Sequence, residues 1–153
     1  MNNNMKKALE QANYGWTHNE GGPFGAIILD KNGEILSVAN NQVLLHKDPT
    51  AHAEVQAIRQ ACKKINSHDL SDCILYTTCE PCPMCLSAVI WANIKEVYYG
   101  CTKKDADDIG FRDDMIYEYL AGKNNDLIHL TPIDRNECIK EFDKFNKQNG
   151  QLY

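Results

Sequence analysis

The sequence predicts an α/β fold, a mixed sheet with helices on both faces, formed as one domain over residues 1–153. Three observations lead to this reading. Apolar runs of strand length alternate with longer stretches whose apolar residues recur every three or four positions. An Asn-Gly pair at 32–33 joins the first two runs, which suits a tight hairpin turn. After that hairpin, helical segments separate each strand from the next, the arrangement that lays helices over a sheet.

Taken in order, Met5, Ala8, Leu9, Ala12 and Trp16 recur at helical spacing, and Gly21-Gly22-Pro23 ends that stretch. Residues 24–29 and 34–39 read as paired strands around the 30–33 turn. Asp48-Pro49 has the form of a helix start, with Asp as N-cap and Pro in the first helical position. Val55, Ile58, Cys62 and Ile65 then give that helix an apolar face. Residues 73–78 read as a buried strand closed by Pro81, which can also open the next helix, bearing Cys82, Cys85, Leu86, Val89 and Ile90. A strand over 97–100, a helix over 115–120 and a fifth strand over 127–130 follow. A last helix over 137–147 turns Ile139, Phe142 and Phe145 inward. Because a helical segment lies between the last two strands, they are expected to run parallel.

Composition narrows the function. A formal charge of -5, with no basic face, disfavours nucleic acid as a partner. No apolar run reaches membrane length, and the start of the chain lacks the apolar core of a secretory signal. Seven cysteines without an export signal imply reduced thiols and a cytoplasmic setting, and their odd number leaves at least one unpaired. Metal binding is then the natural use for some of them.

The strongest chemical signal is His52-Ala53-Glu54 opening one helix and Pro81-Cys82-Pro83-Met84-Cys85 opening another. Cys82 and Cys85 are three apart, so on a helix both sulfurs leave nearly the same face and can share one ion. The helix N-terminus favours anionic sulfur, which lowers the thiol pKa toward the thiolate that zinc binds. His52 supplies a third, neutral ligand. Residues two apart diverge in mid-helix, so Glu54 can serve the same ion only within about a turn of the N-cap. Were Cys79 a fourth ligand, the zinc site would be closed and structural. A carboxylate next but one to His52 favours instead a catalytic site with one place left for water. Two thiolates and one imidazole leave zinc formally neutral, so such a water is a weaker acid than one held by three imidazoles and needs a base. Glu54 fits that role. His18, His46, His68 and His129 have no partner at ligand spacing, and Cys62, Cys73, Cys101 and Cys138 read as small core or half-buried residues.

With these motifs in place, the chain resembles the cytidine deaminase superfamily, whose zinc nucleobase deaminases carry H-x-E and P-C-x-x-C. Within it the resemblance is strongest to the bacterial guanine deaminases. It runs through Gly21-Gly22-Pro23-Phe24-Gly25-Ala26, residues 48–54, residues 79–86, Asp105-Ala106, residues 110–114 and a Phe-rich last helix before Tyr153. The resemblance implies a three-layer α/β/α sandwich around a mixed five-stranded, cytidine deaminase-like sheet. One zinc per chain would be held by His52, Cys82 and Cys85, with Glu54 and Asp113 as catalytic groups. It also implies that Asn41, Phe24, Trp91, Ala53 and Tyr153 contact substrate. The partners implied are a small purine and a second copy of the chain, with C-terminal segments exchanged in some members. The activity implied is hydrolysis of guanine to xanthine and ammonia. The alternatives are a related deaminase acting on guanosine, cytosine, tRNA adenosine or an aminotriazine, and a non-enzymatic zinc module. Arg112, where an acid is often found, and the apolar loop 42–47 depart from the pattern and bear on specificity.

Overall fold

The computed structural model describes residues 1–153, which fall into two compact units, Met1–Tyr117 and Glu118–Tyr153. In the first unit, helix α1 (Asn3–Thr17) leads to strands β1 (Gly25–Leu29) and β2 (Ile35–Asn40), a short α2 (Val43–His46) and α3 (Ala53–Ile65). Strand β3 (Ile74–Cys79), α4 (Pro83–Trp91), β4 (Glu96–Cys101), α5 (Lys103–Asp108) and the start of α6 (Asp114–Leu120) complete it.

One mixed sheet runs in the order β2-β1-β3-β4. The hairpin forms as its turn residues dictate. Asp30 Oδ1 accepts from the backbone N–H groups of Asn32 and Glu34 at 2.8 and 2.9 Å, and Gly33 takes the φ of 82° that the turn needs. Strand β1 pairs antiparallel with both β2 and β3, and β3 pairs parallel with β4 across α4.

Both faces of β1 are buried, so its sequence is apolar throughout rather than alternating. On one face Ile27 and Leu29 pack against Ala8 of α1, with Met5, Ile35, Val38 and Tyr76 around them. On the other, Ala26, Ile28 and Leu75 meet Ala53, Ala57 and Ala61 of α3 and Val89 of α4. The alanine row lets α3 approach closely. This is the three-layer α/β/α arrangement, and no helix is long and apolar enough to cross a membrane.

The sheet has four strands, not five. Residues 127–130 make no ladder, and β4 pairs only with β3, so the parallel pair is β3 and β4. A four-residue apolar run specifies a strand only when an edge accepts it, and Leu127, Ile128 and Leu130 remain exposed. In the second unit, α7 (Arg135–Lys147) buries none of its residues, and Phe142 is 75% exposed. The inward stripe expected there is a property of the sequence period, which does not say what covers it.

Candidate metal and substrate site

The start of α3 lies later than Asp48-Pro49 implies. The Asp48 side chain closes a turn instead, its Oδ1 accepting from the Thr50 N–H at 2.8 Å, and His52 becomes the N-cap of α3. Glu54 is then the second residue of the helix, well inside the first turn that joint action with His52 requires. Helix α4 begins in the same way, with Cys82 as N-cap and Pro83 in the first helical position.

The two helix starts bring their ligand atoms together. Sγ of Cys82 and of Cys85 lie 3.6 and 3.4 Å from Nδ1 of His52, and all three ligand atoms fall within 4.8 Å of one another. Bonds of about 2.3 Å to sulfur and about 2.0 Å to nitrogen at a tetrahedral angle put a sulfur and a nitrogen about 3.5 Å apart, so the trio fits zinc. Its electrostatics favour one anionic sulfur. The Cys82 thiol is brought down to about 4, chiefly by the hydrogen bond from Cys85 and then by His52. The same bond, with burial, pushes the Cys85 thiol up. His52 is raised, because its hydrogen bond with Cys82 outweighs burial.

Cys79 does not join them. Its thiol donates to the Thr102 carbonyl at 3.6 Å, and burial pushes it up to about 12. Glu54 is 6% exposed and accepts a hydrogen bond from Thr77 Oγ1 at 3.0 Å. Burial raises its carboxyl above the ordinary value, a direction that lets the group hold as well as accept a proton.

A cavity of about 620 Å³ opens beside this cluster, past the carboxyl ends of the parallel strands. His52, Glu54 and Cys82 line it together with Asn41, Phe24 and Asp113. The Asp113 carboxyl is raised by burial and then by the negative Cys82. Trp91, 72% exposed, is not among the lining residues, and Ala53 is buried in the core against the sheet. Tyr153 belongs to the second unit and is exposed. Cys73 is buried and Cys62 half-buried as expected, whereas Cys101 and Cys138 are exposed. Lining residues not singled out from the sequence include Phe111, whose ring meets Phe24 edge-on at 5.0 Å, with Leu44 and Lys103. A Phe two residues before Asp113 was the available signal for the first of these.

An α/β/α sandwich whose two helix starts present an imidazole, two thiols and a buried carboxylate to one cavity defines the zinc-dependent deaminase class. Comparison with known proteins makes this specific. Residues 1–101 match the cytidine and deoxycytidylate deaminase zinc-binding region, and the chain belongs to that family. It is 51% identical over 116 residues to the guanine deaminase of Bacillus subtilis, covering 76% of this chain and 74% of that protein. A crystal structure of guanine deaminase from that organism matches with a TM-score of 0.89 at 41% identity, covering 96% of this chain and 95% of the other. A tRNA-specific adenosine deaminase from Aquifex aeolicus is 45% identical over 100 residues, 65% of each chain.

Proposed function

We propose that this chain hydrolyses guanine to xanthine and ammonia. The observation that carries the reading is the buried Glu54 carboxylate at the mouth of the His52, Cys82 and Cys85 cluster, facing a cavity of a size suited to a small ligand. His52, Cys82 and Cys85 would hold the zinc, which would supply Lewis-acid activation of water. Glu54 takes a proton from the attacking water and passes it to the adjacent ring nitrogen, then moves the remaining hydroxyl proton to the amine as the carbon–nitrogen bond breaks and ammonia leaves. Thr77 holds one carboxylate oxygen during that exchange. Phe24 and Phe111 offer a flat base two aromatic walls, Asn41 offers an amide to its edge, and Asp113 receives the amino group that is lost.

The guanine deaminase among its relatives supports guanine over other aminated rings. The tRNA deaminase supports a second reading, against which stands a net charge of -5 where a phosphate-bearing partner favours a basic face. We further infer a cytoplasmic homodimer, with the exposed Leu86, Ile90 and Trp91 of α4 as an apolar face for a second copy. A panel of guanine, adenine, cytosine, guanosine and tRNA, scored by ammonia release, tests the function. Guanine is expected to react, and adenine to be poorer by about four orders of magnitude, as for a site whose polar groups are left unpaired. Turnover of guanosine, cytosine or tRNA with guanine inert overturns the reading.

A further inference from the structure

Asn41 follows β2, and its surroundings decide which end of its amide can meet a ligand. Its main-chain N–H donates to the Phe24 carbonyl at 3.0 Å, and its side-chain Oδ1 accepts from the Val43 main-chain N–H at 3.1 Å. A main-chain N–H can only donate, so the atom facing it must be the oxygen, and the amide has one orientation. The side chain is 5% exposed, lines the cavity, and its Nδ2 has no partner within the protein. Asn41 therefore presents a donor and no acceptor to whatever enters.

Outside the cavity, a single carboxylate oxygen holds the residues on either side. Oε2 of Glu20 accepts from Asn40 Nδ2 at 2.7 Å and from Gln42 Nε2 at 3.2 Å, straddling Asn41. The Glu20 carbonyl accepts from the N–H groups of Leu44 and Leu45, both at 3.0 Å, so the same residue fixes the next turn of chain. The Gln42 amide oxygen is in turn held by Gln56 Nε2 at 2.8 Å. Gly21 closes the arrangement: a Cβ there would stand 2.1 Å from Asn41 Oδ1 and 2.5 Å from its carbonyl oxygen, so only glycine allows this approach. Glu20 itself does not line the cavity.

We propose that Glu20 is the positioning residue that fixes Asn41 as a donor-only contact to an acceptor on the purine edge. The proposal rests on the reading of Asn41 as a substrate contact. A charged acceptor suits the task because a carboxylate oxygen binds amide donors more strongly than a neutral one does. It can take two at once without offering a competing donor.

The test uses the zinc-loaded enzyme with guanine as substrate, and calorimetric binding of xanthine as a readout independent of turnover. Glu20→Ala is expected to raise KM for guanine and Kd for xanthine about tenfold, the order of one hydrogen bond lost to misalignment. It should leave kcat, zinc content and melting temperature near those of the unmodified enzyme. Glu20→Gln keeps an oxygen where both donors can reach it and is expected to restore KM and Kd. In an Asn41→Ala background, Glu20→Ala should add nothing further. If Asn41→Ala itself changes neither constant, the reading of Asn41 fails and the proposal falls with it. If Asn41→Ala weakens binding while Glu20→Ala does not, or the two effects add, the role of Glu20 alone is overturned. A fall in kcat together with melting temperature would make Glu20 a general brace and also overturn it. Should Glu20→Ala fail to fold, Glu20→Asp, one methylene short of the two amides, is read against the same expectations.

Discussion

Helices α1 and α5 begin differently from α3 and α4, and the difference locates the chemistry. The Asn2 side chain accepts from the N–H groups of Asn4 and Met5 at the start of α1, and Thr102 forms a reciprocal capping box with Asp105 at the start of α5. At α3 and α4 the N-cap residues His52 and Cys82 have the same extended backbone, but neither side chain makes a capping hydrogen bond to its helix. They meet each other instead. A side-chain cap is worth about 1 kcal/mol, so each of these starts forgoes stabilisation that its position could supply. The Cys82 thiol is lowered chiefly by its hydrogen bond with Cys85 and then by His52, and a helix N-terminus favours a thiolate in the same direction. One backbone geometry thus serves two ends, and the destination of the N-cap side chain separates a structural helix start from a chemical one. Gln42, at the uncapped start of α2, is a third variation, its amide held by Glu20 and Gln56.

Breaking the two chemical starts should have the largest consequence. Cys82→Ala is expected to lose zinc and at least about a thousandfold in rate, the scale of removing a Lewis acid from the reaction. Metal analysis and ammonia release measure both. Next comes Glu54→Gln, which should keep zinc while the rate falls about 10²- to 10⁴-fold, the range for a proton-transferring group. A variant that loses metal and rate together would make Glu54 a ligand instead.

The comparison sharpens when the metal is removed. Burial raises the Glu54 carboxyl, so between its ordinary value and the folded one the unfolded chain has released a proton that the folded chain retains. Stability is lost as pH rises through that window. Metal-free Glu54→Gln has no such proton to release. It should melt a few degrees above the metal-free parent at pH 7, with the gap closing as pH falls below the ordinary carboxylate range. Equal melting at pH 7 would contradict the burial argument. At a structural start the pattern reverses: Asn2→Ala should cost about 1 kcal/mol of stability, seen as a lower melting temperature, with no change in turnover.

Much of this was legible in advance because it is local. Three-residue spacing put Cys82 and Cys85 on one helix face, and the Asn-Gly turn specified the hairpin. What escaped depends on partners distant in sequence. Asp48-Pro49 has the composition of a helix start, yet the Asp48 side chain can satisfy a turn just as well, and only the surrounding fold chooses. The run 127–130 and the stripe of α7 have strand and helix periods, but neither names a covering surface. Thr77 meets Glu54 across 23 residues, and Glu20 meets Asn40 across 20. Sheet register and loop path set these pairings, and neither is written in any short motif.

Cys79 provides the most direct test of an open, three-ligand centre, because it is the one remaining thiol among the cavity-lining residues beside the cluster. Zinc stoichiometry of purified Cys79→Ala should equal that of the unmodified protein, one ion per chain, since the thiol is turned to the Thr102 carbonyl. Loss of zinc from Cys79→Ala would mean that a fourth protein sulfur fills the place reserved for water, and the catalytic account would not stand.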